Sequence, residues 1–376
     1  MMIDNKIKGI YVHIPFCKHI CPYCDFSKVL FAEEQANQYL KALTAEMNSY
    51  DIKCEDIETI YIGGGTPSCL TNKQFRQLFE LIDSYHFPQL KEYTVEVNAE
   101  DINEELVKLL QKYHINRVSI GVQSFDAKVI KEIKRFHSIN DVINGVKLLK
   151  ESKINNINLD MMYGFKSQTE ASISEDLNII KSLDIKHLSY YNLIVEPGTV
   201  FYNKHYVNAE AEFSFHTLIN DFLIEKLGFE HYEVSNYCRD KNYALHNLRY
   251  WHNEHYFGFG LGACSYLDNE RIYNTKSITN YNKYIFKRKK ESYNYKELIM
   301  NEIMLNFRIF NGVAIKDIER KYSINFTKLF KNAIIKNKRN IMILNHKLYF
   351  TEHGQLFLND IILDFMECVE EWDDGR

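Results

Sequence analysis

Residues 11–27 read YVHIPFCKHICPYCDFS. The apolar, β-branched run Ile10 to Ile14 predicts a strand that stops at Pro15, and three cysteines follow directly at C-x3-C-x2-C spacing. Three thiolates on one short loop point to a metal. A zinc site of the two-pair kind needs a second C-x2-C, which is absent here. Cys17, Cys21 and Cys24 instead offer three corners of a [4Fe–4S] cube, for which thiolate is the usual protein ligand. The fourth iron is then open to chelate a small molecule through an amine and a carboxylate. The plainer alternative is structural zinc or unrelated buried thiols.

Outward from this loop, strand-like and helical runs alternate as far as Asn192, the pattern of repeated βα units on a parallel sheet. Strands are expected at Thr59–Ile62, Tyr93–Val97, Arg117–Val122, Asn156–Met162 and His187–Leu193. Helices are expected at Glu34–Tyr50 and, capped by Thr71, at Lys73–Tyr85. Gly63-Gly64-Gly65-Thr66-Pro67 closes the second strand, and glycines there let backbone groups approach a ligand with no Cβ in the way. Glu96, Gln123 and Asp160 stand near the ends of later strands, where parallel α/β folds place their ligands. A long helix, Ala209 to Leu227, is stopped by Gly228. Beyond Glu297 come helices, a strand pair (Ile341–Leu344, Lys347–Thr351) and a last helix, Glu352 to about Cys368, in a winged-helix-like order. The expected division is a barrel over 1–230, a linking region over 231–295 and a C-terminal, mostly helical, winged-helix-like domain over 296–376.

The cysteine loop and the glycine run resemble those of radical S-adenosylmethionine (SAM) proteins. The resemblance implies an α/β fold, a partial (β/α)6 barrel, that holds a [4Fe–4S] cluster and SAM. By the same resemblance Gly63, Gly64, Gly65 and Thr66 meet the SAM amine and Tyr11 lies near the adenine. Glu96 accepts from the ribose hydroxyls, and Gln123, Arg135 and Asp160 complete the pocket; a guanidinium at Arg135 suits the methionine carboxylate. Three positions depart from the usual pattern: Asn98-Ala99 in place of Asn-Pro, Lys134-Arg135 in place of Gly-Arg, and Phe165-Lys166 in place of Leu-Pro.

Residues 246–251 read HNLRYW, and this H-N-x-x-Y-W motif is similar to that of the HemW family of heme chaperones. It implies heme b as a third bound group, with His246, Tyr250 and Trp251 at its site, since imidazole ligates iron and aromatic rings pack on a flat porphyrin. His252 and His255 are further candidate ligands, and Cys264 stands where relatives carry a histidine. Read without the resemblance, His246 is better explained as a hydrogen-bonded histidine in an aromatic core, and the resemblance reverses that order. The alternative within the same branch is oxygen-independent coproporphyrinogen III oxidase, which decarboxylates propionates by radical chemistry, or another radical SAM enzyme. The oxidase pattern has a fourth cysteine where this chain has Phe26 and a longer N-terminal extension, whereas ten residues precede Tyr11 here. The expected partners are therefore heme and a heme-accepting respiratory protein, with a homodimer as a further expectation, and no catalytic residue is assigned.

With 376 residues and 45% hydrophobic content the chain can bury a full-sized core. A formal net charge of −4 gives no global basic field for nucleic acid. The clusters 287–290 (KRKK) and 336–339 (KNKR) and the acidic end (Glu370, Glu371, Asp373, Asp374) read as solvated surface. No signal-peptide core and no run long enough to span a bilayer is present, so the expected location is cytoplasmic, with peripheral membrane contact through a partner. The other five of the eight cysteines are scattered without a disulfide framework, which suits a reducing compartment.

Overall fold

The computed structural model describes residues 6–202, 209–286 and 288–373. Lys287 of the basic cluster and Asp374 of the acidic end lie outside them.

The central element is a 12-stranded sheet. Six strands follow the βα alternation: β1 (Gly9–Ile14), β2 (Thr59–Gly64), β3 (Glu92–Asn98), β4 (Arg117–Gln123), β5 (Asn156–Tyr163) and β6 (His187–Asn192). They pair in parallel, in sequence order, from β1 to β6. Parallel strands must be covered on both faces, and Ile10, Val12, Ile60, Ile62, Val95, Val118, Ile120 and Leu159 are all buried. The covering helices use ordinary signals. In α2 (Asn72–Asp83, following α1 at Glu33–Asn48) Thr71 and Gln74 form a reciprocal capping box, and Phe75, Leu78, Phe79 and Ile82 form its buried stripe.

Residues 231–295 do not form a separate linker, because they extend both edges of the barrel sheet. On one side β8 (Asn236–Cys238) adds antiparallel to β6, and β7 (Glu230–Glu233) pairs antiparallel with β8 at the edge. The chain then crosses the N-terminal end of the barrel as the short helix Leu245–Trp251. On the other side β9 (Tyr256–Phe259) joins β1 in parallel, followed by antiparallel β10 (Cys264–Leu267), β11 (Glu270–Tyr273) and β12 (Lys289–Ser292). Strand order cannot be read from local periodicity, which is why a linker was the expectation.

The helix over 209–227 is α-helical to Asn220 and then widens to a π turn over Asp221–Lys226 before Gly228, at φ +68°, stops it. The C-terminal module has its own apolar core, including Ile303, Phe307, Phe326, Phe330 and Phe365, and a three-stranded sheet. Its last helix is two segments, Glu352–Leu356 and Leu358–Glu370, divided at Phe357. The first segment is tied down by Thr351 and by Gly354, where a Cβ would meet the Asn340 carbonyl oxygen at 2.0 Å, while the second follows the helical core. The module joins the barrel through Val234 N–H to Arg308 O (3.0 Å) and Phe310 N–H to Tyr232 O (2.8 Å). The basic clusters are surface groups in ion pairs, as with Lys290–Glu270 and Lys336–Asp364.

Candidate functional site

A cavity of about 330 Å³ opens at the carboxyl ends of the barrel strands. Cys17, Cys21 and Cys24 all line it, together with Gly64, Gly65, Thr66, Glu96, Gln123, Arg135 and Asp160. Of the residues expected to contact SAM, Tyr11 and Gly63 do not line it. The Tyr11 hydroxyl is bonded instead to His13 Nδ1 at 2.9 Å, and its ring lies beside Tyr61 inside the barrel.

The cysteine loop is held against the barrel by main-chain pairing. Phe16–Cys17 pairs in parallel with Val29–Leu30, and Thr66 N–H donates to Phe16 O at 2.8 Å. His13, whose role the sequence did not suggest, pins the far end of the loop through Nε2 to Ser27 O at 2.7 Å. Gly64 and Gly65 make this close approach possible. A Cβ on Gly64, at φ +116°, would meet the His13 ring at 2.5 Å, and one on Gly65 would meet the Pro15 backbone at 2.7 Å. Burial pushes the Cys17 thiol up to about 11, so the unliganded cysteine keeps its proton at neutral pH.

Around the cavity the carboxylates are held in fixed directions. Glu96 accepts from the Tyr61 hydroxyl (2.6 Å) and Gly64 N–H (3.0 Å), and burial, then the neighbouring Asp160, push it up to about 7. Asp160 accepts from Ser119 (2.8 Å) and from the Asn158 amide (2.8 Å), with burial raising its carboxyl also. Arg135 donates to Asn98 Oδ1 at 2.9 Å and to Gly121 O at 2.6 Å. Asn98, beside one of the departures from the usual pattern, is thus a positioning residue. Gln123 sits at φ +64° on a turn fixed by buried Asp176, which accepts from Ser124 Oγ (2.7 Å) and Phe125 N–H (2.8 Å). Asp176 lies on the helix Glu170–Leu183, and no local sequence signal marks it.

The residues fit the cofactors the resemblance implies. Buried Arg135 Nε and Gln123 Oε1 have no hydrogen-bond partner, and polar atoms are costly to leave so unless a ligand completes them. The glycine cradle leaves main chain bare beside the thiols. Among the described residues no three His, Cys, Asp or Glu side chains are gathered tightly enough for a single metal ion. A cube gives each cysteine its own iron, so its ligands need not crowd round one ion.

The HNxxYW residues, the expected heme set, lie at the opposite end of the barrel from the three cysteines. His246 is 1% exposed. Its Nδ1 is bonded to Thr59 Oγ1 at 2.9 Å and its Nε2 to the Tyr250 hydroxyl at 2.8 Å, so in this structure neither nitrogen is open to an axial iron. Burial lowers its pKa to about 3, which keeps the ring neutral. Tyr61, His246, Tyr250 and Tyr256 follow one another at ring separations of 5.4, 5.1 and 4.6 Å, an aromatic plug filling the lower barrel. Trp251 Nε1 is buried without a partner on the same helix. His252 and His255 line a second cavity, between this end of the barrel and the C-terminal module. Cys264 lies on β10, where its thiol donates to the Ser265 carbonyl oxygen.

Residues 11–180 match the Radical SAM superfamily. Over 96% of its length the chain is 35% identical to the heme chaperone HemW of Bacillus subtilis, of which it covers 99%. It is 34% identical over 95% of its length to the heme chaperone HemW of Lactococcus lactis, covering 94% of that protein. Coproporphyrinogen III oxidase from Escherichia coli shares the fold, with a TM-score of 0.82 over 96% of this chain and 90% of the oxidase at 20% sequence identity. The match runs over nearly the whole of both chains, and with the cysteine loop and its cavity in place the chain belongs to the HemW family of radical SAM proteins.

Proposed function

We propose that this protein is a heme chaperone: it binds heme b and passes it to a heme-accepting respiratory protein, with a [4Fe–4S] cluster on Cys17, Cys21 and Cys24 and SAM beside it. The observation that carries the reading is the end-to-end similarity to heme chaperones. Gly64, Gly65, Thr66, Glu96, Gln123, Arg135 and Asp160 are the groups that receive SAM. Arg135, held by Asn98 and Gly121, offers its free Nε to a carboxylate, and Glu96 offers acceptor oxygens to hydroxyls. When bound, the cluster and SAM supply one-electron reducing chemistry. A homodimer, a cytoplasmic location and peripheral membrane contact through the acceptor belong to the same reading. Among the described residues no helix is long and apolar enough to cross a membrane.

Against the oxidase reading stands Phe26, 64% exposed at the cavity mouth where the oxidase pattern has its fourth cysteine. Titration of the anaerobically reconstituted protein with heme, and separately with coproporphyrinogen III, decides between them. A stoichiometric Soret-active complex with no decarboxylated product is expected. Turnover of the porphyrinogen overturns the chaperone reading.

A further inference from the structure

The cavity mouth carries features that holding SAM does not require. Ile20, Phe26, Phe136 and Ile194 line it and are 40%, 64%, 64% and 70% exposed. Four large apolar side chains turned to water around one opening mark a surface built for an apolar ligand. His19, between Cys17 and Cys21, is exposed on the same rim, its ring 4.2 Å from that of Phe136. Among the described residues neither of its nitrogens has a hydrogen-bond partner. Lys134 also lines the mouth, exposed, and its ammonium makes no ion pair among the described residues. Its backbone lies at φ +56°, a conformation that costs a residue with a Cβ roughly 1–2 kcal/mol.

A rim with an apolar ring of side chains, a free imidazole and a free cation matches one ligand chemistry: a flat apolar macrocycle with a central metal and peripheral carboxylates. We propose that heme docks across this mouth, with His19 as its axial ligand and Lys134 paired to a propionate, and not at the HNxxYW residues. The inference rests on the heme-chaperone reading. Imidazole is the right donor for the iron, and a lysine ammonium at an exposed site pairs with a carboxylate as a point charge. Heme seated here covers the SAM cavity, so the two ligands share one opening.

The test is heme titration of the cluster-loaded full chain, followed by Soret absorption, for wild type, His19→Ala, His252→Ala and Lys134→Gly. His19→Ala is expected to keep its iron and sulfide, to lose heme affinity by about tenfold or more, and to shift the Soret band; free imidazole added to His19→Ala restores the band. Lys134→Gly is expected to weaken heme by about threefold while leaving heme dimethyl ester, which has no propionate charge, unaffected. If His19→Ala disturbs the cluster, the comparison of heme with its dimethyl ester in Lys134→Gly decides alone. An unchanged Soret band and affinity in His19→Ala, or their loss in His252→Ala, overturns the site and leaves the chaperone reading standing. Absence of heme binding by the wild-type protein overturns both.

Discussion

The two ends of the barrel are made from the same strands and differ in what they leave open. At the N-terminal end Arg249 bonds Thr59, Glu58 and Glu254, Glu92 accepts from Leu245 N–H and His246 N–H, and His246 spends both nitrogens. At the carboxyl end Gln123 and Arg135 keep buried polar atoms unpartnered, Gln123 and Lys134 hold left-handed backbone, and large apolar side chains face water. The bonds of Arg249, Glu92 and His246 contribute stability, although Trp251 Nε1 stays unpartnered and a second cavity lies beside His252 and His255, whereas the carboxyl end gathers its open groups around one cavity. His246, Tyr250 and Trp251 are thus built into the packing of one end, while the cysteines and the cavity stand at the other.

Replacing residues at each end separates these roles. The largest effect is expected from Cys21→Ala at the mouth, which abolishes cluster assembly; iron analysis and loss of the broad visible absorption check it, and a retained cluster breaks the assignment. Next comes His246→Ala at the closed end. It removes a buried ring and strands Thr59 and Tyr250, so a loss of roughly 2–4 kcal/mol in unfolding free energy is expected, with heme affinity of the folded protein unchanged. A drop in heme affinity without a drop in stability reverses the comparison.

A smaller effect concerns Asp176, which builds the Gln123 turn. Burial pushes its carboxyl from 3.8 up to about 7. The folded state therefore holds a proton that the unfolded chain has released, and stability from this group is full below about pH 4 and falls as pH rises through 7. Asp176→Asn is expected to flatten the decline in melting temperature between pH 5 and 7.5; an unaltered slope removes Asp176 as its source. The smallest effect is Lys134→Gly, which relieves left-handed strain and is expected to stabilise the fold by about 1 kcal/mol while weakening the mouth's grip on carboxylates. A destabilised variant shows that the lysine packs rather than binds.

The six parallel strands were legible in the sequence because each is a short apolar or aromatic run ended by a glycine, proline or polar residue, and observed limits differ from expectation by two residues at most. Thr71 was legible as a cap because its partner, Gln74, lies three residues on. That the three cysteines would share one cavity with Gly64, Gly65, Thr66, Glu96, Gln123, Arg135 and Asp160 was legible from motif spacing. The closed end was not: Thr59 and His246 meet 187 residues apart, and only the crossing of residues 231–256 beneath the barrel brings them together. Nor was the role of His13 visible, since its partner Ser27 lies across the loop that carries the three cysteines.

Hydrogen exchange of the cluster-loaded protein with and without SAM and heme tests the division between the two ends most directly. Protection is expected over residues 17–28, 63–66, 121–136 and 192–195, with residues 245–252 already slow to exchange and unchanged by either ligand. Ligand-dependent protection confined to 245–252 would contradict the account and return the heme to the HNxxYW motif.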